Sequence, residues 1–248
     1  GGYPPAMRRP RIGIPLTLDD RGRWRRDRAY HYIDRSYADA VDRAGGLALH
    51  LPIQHDVDAL VEGLDGLLLP GGDDFPSTTP LPPGVELDLV PAEQLAFDEA
   101  LLLGAGERGL PVFGICYGMQ LMARAGGGRL VAHLPTERPD AARHRLAPDE
   151  RHALEIDPTS RLARALGPSA GPVNSLHHQA VGEIGPAHRR VASAPDGVIE
   201  AIEGAGDAWT LGVQWHPEKM AEPSGARLFE AFVAACREAA IGRGGGID

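Results

Sequence analysis

The sequence predicts an α/β fold of three layers: a mostly parallel central sheet with helices on both faces and an antiparallel extension. Three observations predict it. Short apolar runs alternate with longer stretches of helical period through the first half of the chain, the pattern of strands paired in parallel through helical crossovers. Pro111 to Ile115 is apolar throughout, as a central strand covered on both faces must be. Beyond about residue 150, closely spaced strand candidates are divided by turn signals such as Pro195-Asp196-Gly197, which read as the antiparallel part.

The first strand is expected over Arg11 to Leu16 and the first helix over Ile33 to Ala44, where Ile33, Tyr37, Ala40, Val41 and Ala44 share a face and Gly45-Gly46 stop it. Leu47 to Leu51 is the next strand, closed by Pro52. A short helical stretch precedes the apolar run Gly66 to Leu69, which meets Pro70-Gly71-Gly72. Ala92 to Glu107 reads as a long helix behind Pro91, and Pro111 to Ile115 as the central strand. The polar, proline-containing stretch Thr136 to Arg151 is expected as a surface excursion. Ala153 to Ile156, Arg190 to Ala194, Val198 to Ile202 and Thr210 to Trp215 are the later strands. A last amphipathic helix spans Ser224 to Ala240, with Leu228, Phe229, Phe232, Val233 and Cys236 on its apolar side, and Gly242 to Gly246 is a frayed tail. Residues 8–241 are expected to form one domain, with 1–7 a tag remnant and start and 242–248 a tail.

Composition narrows the function. The chain has 248 residues and a formal net charge of −9, from 25 Lys and Arg against 34 Asp and Glu. An acidic balance offers no footprint for nucleic acid or an anionic membrane, both of which call for clustered cations. Cys116 and Cys236 are the only cysteines, too few for a disulfide framework. No run approaches the roughly 20 apolar residues of a membrane span, and the expected location is cytoplasmic. The remaining histidines, His31, His50, His55, His133, His144, His152 and His188, show no ligand spacing, so no metal and no cofactor is expected. A homodimer is the default assembly for a soluble protein of this kind.

The chemistry concentrates in three blocks. Val112-Phe113-Gly114-Ile115-Cys116-Tyr117-Gly118-Met119-Gln120 is a strand running into a cysteine and then a helix. Such an elbow needs small residues two places either side of the nucleophile, supplied by Gly114 and Gly118, and a helix N-terminus favours the thiolate. Leu211 to Glu218 is a strand that delivers His216 and, two residues later, Glu218, with Pro217 expected to hold the exit extended. Cysteine catalysis needs a base and an orienting group for it, roles that His216 and Glu218 can fill. Leu67 to Asp74 ends a strand in two glycines, and the amides of Gly72, Gly71 and Tyr117 are the candidates for an oxyanion hole, where one donor is worth roughly 2.7 to 4 kcal/mol in the barrier.

Together these blocks resemble the class I glutamine amidotransferase family, with its Pro-Gly-Gly strand end, Gly-x-Cys-x-Gly-x-Gln elbow and terminal His-Pro-Glu. The chain is most similar to the γ-glutamyl-γ-aminobutyrate hydrolase branch, peptidase family C26, through Tyr37 with Ala44-Gly45-Gly46, Val173 to Gln179, Ser193 to Gly197 with Glu200-Ala201, and Gly212 to Glu218. The resemblance covers about residues 11 to 237. It implies a flavodoxin-like fold and hydrolysis of a small γ-glutamyl compound: Cys116 attacks the γ-glutamyl amide to form a thioester, His216 protonates the departing amine, and water releases glutamate.

It further suggests Gln120 as a contact for the glutamyl group, with a role in a helix cap or hydrogen-bond network as the competing reading. Asn174, Ser175 and His177 read as a polar rim to the pocket; for His177 and His178 a hydrogen-bonded loop pair is the alternative. Two positions depart from the branch: Tyr117 stands where Arg is usual, and Gln94-Leu95 where an Arg-Asp pair is usual. Two other readings stay open. One is a glutaminase subunit passing ammonia to a partner synthase, which Tyr117 favours; the other is a non-catalytic γ-glutamyl-binding protein, against which the intact triad argues. The run Trp24, Arg25, Arg26, Arg28 and Tyr30 is read as a solvated loop after the first strand, and Cys236 as core.

Overall fold

The computed structural model describes residues 8–244; the expected tag remnant at 1–7 lies outside them. Five strands form the parallel part of the sheet. They are β1 (Arg11–Pro15), β4 (Leu47–Leu51), β5 (Gly66–Leu69), β6 (Val112–Ile115) and β12 (Thr210–Val213), in spatial order β4-β1-β5-β6-β12. By sequence rank among themselves that is 2-1-3-4-5, the flavodoxin-like order. Beyond β12 the pairing turns antiparallel through β11 (Ile199–Gly204), β10 (His188–Ser193) and β8 (Glu155–Ile156). β9 (Ala180–Glu183) also pairs with β11, and β7 (Arg129–Val131) with β9. A separate hairpin of β2 (Thr17–Asp19) and β3 (Tyr30–Tyr32) follows β1.

Period-two alternation builds the layers. Leu68, Phe113, Leu211 and Val213 point into one core, shared with α1 (Ser36–Arg43), α6 (Arg161–Leu166) and α7 (Pro223–Gly244). Leu67, Leu69 and Val112 point the other way, against α2 (Val57–Glu62), α3 (Ala92–Glu107) and α4 (Tyr117–Ala125). Phe113 anchors the first core edge-on to Phe229 at 5.5 Å and to Trp209 at 6.0 Å. Cys236 is fully buried there, and burial pushes its thiol well above the ordinary range.

The expected architecture is present, with local corrections. The first strand ends at Pro15 and the first helix begins at Ser36. The last helix continues through Gly244, so residues 242–244 are helical instead of frayed, and 245–248 lie outside the described residues. β7, β9 and α6 had not been expected; α6 carries its own signal in Ser160, whose hydroxyl caps it by accepting from Ala163 N at 2.9 Å. The excursion at Thr136 to Arg151 is less superficial than its composition implies. It opens on the end of a short helix, α5 (Leu134–Glu137), and buries His144, which Asp196 and Glu200 partner.

Candidate active site

The parallel strands bring the site together at their carboxyl edge. Leu69 pairs with Gly114 and Ile115 with Val213, so the residues that leave β5, β6 and β12 start from one level. Cys116 leaves β6 at φ 52° and ψ −104°, the one non-glycine residue of positive φ among the described residues, and its N–H donates to Val213 O at 2.8 Å. Backbone of this kind persists only where the surroundings enforce it. Here they do so through close approach: a Cβ on Gly114 would lie 2.7 Å from the carbonyl carbon of Gly118, and one on Gly118 would overlap the carbonyl of Leu69. The cysteine side chain is left partly exposed at the N-terminus of α4.

His216 is buried, and its main chain is held at both ends by Asn174, whose Oδ1 accepts from His216 N at 2.8 Å while Nδ2 donates to His216 O at 2.9 Å. Pro217 does not extend the exit as expected; it opens a 3-10 turn, Pro217–Lys219, that folds Glu218 back beneath the ring. Glu218 Oε1 meets His216 Nδ1 at 2.7 Å, which leaves Nε2 for Cys116. Burial disfavours the imidazolium, but hydrogen bonding and charge from Cys116 and Glu218 outweigh it and raise His216 to about 10.

The glycine loop after β5 divides its donors. Gly71 N–H is taken by Tyr37 Oη at 2.9 Å. The amides of Gly72 and Tyr117 donate to no protein acceptor among the described residues, so two of the three candidate oxyanion donors are free. The Tyr117 side chain turns away from the cleft into the core, stacked on Phe75 at 4.7 Å and donating to Asp98 Oδ2 at 2.9 Å. Burial raises Asp98 to about 7 against the hydrogen bonds from Tyr117 and Gln94. Gln94 is buried as well, and its Oε1 accepts from Leu18 N at 2.8 Å. The positions that depart from the branch pattern at 117 and 94 therefore present no side chain to the cleft.

The four expected substrate contacts have protein partners. Both hydrogens of the Gln120 amide are committed, to Gln179 O at 3.0 Å and Gln214 Oε1 at 3.1 Å, which leaves its oxygen as the group it can offer. Asn174 holds the His216 backbone, Ser175 Oγ donates to His144 O at 2.7 Å, and His177 is buried facing Glu200. Gln214, to which sequence reading gave no role, donates from Nε2 to Cys116 Sγ at 3.5 Å. Its place one residue past the strand end was the signal.

A cleft of about 250 Å³ opens in front of His216 and the glycine loop, lined by Thr17, Tyr32, Asp34, Asp73 and Lys219. Trp24, Arg25, Arg26 and Arg28 are exposed in the loop that joins β2 to β3, while Arg21 and Arg23 of the same loop pair with Asp73 and Asp88. The expectation that the remaining histidines share no ligand geometry does not hold: His144 and His152, joined by His177, converge on Glu200.

With that geometry in place, comparison with known proteins is direct. The family model for Peptidase C26 matches residues 10–218. The chain belongs to the Peptidase C26 family. It is 34% identical over 253 residues to the γ-glutamyl-γ-aminobutyrate hydrolase of Escherichia coli (strain K12), covering 93% of this chain and 95% of that protein. A Mycobacterium tuberculosis protein provisionally named a glutamine amidotransferase is 37% identical over 236 residues, 92% of this chain and 75% of the relative. A solved structure from Thermoplasma acidophilum, provisionally assigned to GMP synthase as one of its subunits, superposes with a TM-score of 0.65 at 17% identity, covering 96% of this chain and 98% of that one; it shows the shared fold. Peptidase C26 membership and hydrolase relatives support an amide-hydrolysing enzyme acting on a small molecule. Among the described residues no helix is long and apolar enough to cross a membrane.

Proposed function

We propose that this C26 protein hydrolyses a γ-glutamyl amide through a Cys116 thioester, with His216 as proton carrier and Glu218 as its orienting group. One observation carries the reading: the strained cysteine, the His216–Glu218 pair and two free amides, Gly72 and Tyr117, meet at one sheet edge. Cys116 Sγ adds to the γ-carbonyl, and the resulting oxyanion takes the two amide hydrogens. Collapse of the intermediate breaks the C–N bond as His216 Nε2 gives its proton to the departing amine. His216 then draws a proton from water, whose oxygen attacks the thioester and releases glutamate and the thiol.

Relatives named as γ-glutamyl-γ-aminobutyrate hydrolases supply a model for the amine half. An amine bearing a carboxylate would meet Lys219, the only lysine of the chain, which lines the cleft 3.8 Å from Asp34. Because the Tyr117 side chain is buried against Phe75 and Asp98, it lends no pocket group to the alternative of a partner-dependent glutaminase.

The test is glutamate release from a panel of γ-glutamyl amides that includes γ-glutamyl-γ-aminobutyrate and glutamine, with Cys116→Ala as control. Release from one amide that disappears in Cys116→Ala is expected. Turnover surviving that substitution, or no turnover of any amide, overturns the reading; slow cleavage of glutamine alone points to a synthase partner.

A further inference from the structure

Four side chains outside the Cys116 arrangement converge on one point. Glu200, on β11, is fully buried, and its Oε1 lies 3.2 Å from His144 Nδ1, 3.5 Å from His177 Nε2 and 3.7 Å from His152 Nε2. His144 and His177 are also buried, and the side chain of His152 is 17% exposed.

The protons of the three rings follow from their far sides. His152 Nδ1 lies 2.9 Å from Ala153 O, and His177 Nδ1 lies 2.9 Å from Gln179 O. A carbonyl oxygen only accepts, so each neutral ring carries its hydrogen there and turns a lone pair toward Glu200. His144 does the same through Nε2, 2.9 Å from Asp196 Oδ2, leaving Nδ1 toward Glu200. Three lone pairs thus face a buried carboxylate. Consistently, both oxygens of Glu200, His177 Nε2 and His152 Nε2 have no hydrogen-bond partner among the described residues. Buried polar atoms without partners are costly, and four in one cluster call for a missing positive charge.

We propose that His144, His152, His177 and Glu200 form a four-coordinate site for a divalent first-row transition ion of the Zn²⁺ type. Bonds of about 2.1 Å place tetrahedral ligands about 3.4 Å apart; Oε1 has its three nitrogens at 3.2 to 3.7 Å, and the ligand atoms of His144, His152 and Glu200 all lie within 4.8 Å of one another, so a bound ion would draw them and His177 inward. Three imidazoles and one carboxylate suit zinc and its neighbours, and not calcium or magnesium, which take six or more oxygens. Imidazole ligands of metals almost always donate their second N–H to a carbonyl or carboxylate, and all three rings do so here. Four protein ligands close the coordination, so the site is structural and His152 is its open edge.

The site joins three segments distant in sequence: the excursion carrying His144 and His152, the loop carrying Asn174 and His177, and β11. Asn174 makes both backbone hydrogen bonds to His216, and Glu200 O accepts from Gln214 N at 2.8 Å. The ion therefore braces the two supports of the strand end that presents His216, without touching the reacting atoms.

The experiment titrates chelator-stripped full-length protein with Zn²⁺ and, separately, Co²⁺, in the wild type and in Cys116→Ala, which removes the other thiol-imidazole ligand pair. Expected are one equivalent bound per chain in both, intense visible bands of four-coordinate Co²⁺, and a Tm that rises with metal. Glu200→Gln and His152→Gln should each weaken binding at least tenfold; His152 sits at the rim, so its variant reports on the ion even where the buried substitution fails to fold. Absent binding, weak six-coordinate Co²⁺ absorption, or a folded His152→Gln that binds like wild type overturns the proposal. So does a Tm that responds to pH but not to metal, which would assign a proton to the cluster.

Discussion

Tyr37 Oη accepts the amide hydrogen of Gly71 at 2.9 Å, tying the first helix of the chain to the loop that carries the proposed oxyanion donor Gly72. Burial, with the Glu218 carboxylate beside it, holds the phenol well above its ordinary range, so the hydroxyl keeps its proton at any working pH. Gly71 is thereby a fixed support, while the amide of its neighbour Gly72 has no protein acceptor among the described residues.

Tyr37→Phe removes that support together with the hydroxyl beside the Glu218 carboxylate. A lost hydrogen bond of this kind is worth on the order of 1 kcal/mol, so kcat should fall about five- to tenfold with KM nearly unchanged. Steady-state kinetics on the amide identified above checks this; an unchanged kcat would show that Gly71 needs no anchor.

Gly118→Ala tests the elbow. The added methyl would press on the carbonyl and Cβ of Leu69, so either α4 shifts or β5 does. Overpacking of this sort costs roughly 1 to 3 kcal/mol, and the Cys116 backbone conformation should not survive it. We expect a folded protein of lower Tm with iodoacetamide reactivity at Cys116 and turnover both reduced.

His216, held at about 10 by Cys116 and Glu218 against burial, keeps its proton for the leaving amine through the neutral range. The rate should therefore fall as pH rises past about 10. Glu218→Gln removes the charge that favours the imidazolium, so the alkaline limb should move to lower pH. A pH profile of kcat in the two proteins decides the matter, and an unmoved limb would reject Glu218 as the group that sets it.

Asp98 offers a stability measurement. Burial raises it from 3.8 to about 7, so the folded chain binds this proton more tightly than the unfolded chain does. Its contribution is then lost as pH rises between those values and stays low above them. Asp98→Asn keeps an acceptor for the Tyr117 hydroxyl without the charge. Thermal melts should show a higher Tm than wild type above about pH 7 and a flatter pH dependence below it.

Much of the molecule was readable along the chain because the information is local. The apolar run at Val112 to Ile115, the glycines flanking Cys116 and the Ala92–Glu107 helix depend on neighbours within a few positions, where periodicity and turn chemistry act. β7 and β9 escaped notice because strands of three and four residues carry little pattern and are stabilised by pairing across about fifty residues of chain. Asn174, Ser175 and His177 were recognised as a polar group, but nothing in their order tells whether they turn toward solvent, substrate or other protein atoms.

By itself the sequence determined the α/β class and the strand that runs into Cys116, since each follows from alternation or glycine placement; the turn at Pro217 that folds Glu218 back to His216 it did not. Only the tertiary structure decided that Gly71 is occupied by Tyr37, that Asn174 holds His216, and that His144, His152 and His177 surround Glu200. Hydrogen bonds and ligand geometry act over about 3 Å in space, and residues 23 to 56 positions apart reach that distance only after the sheet has brought its strand ends together.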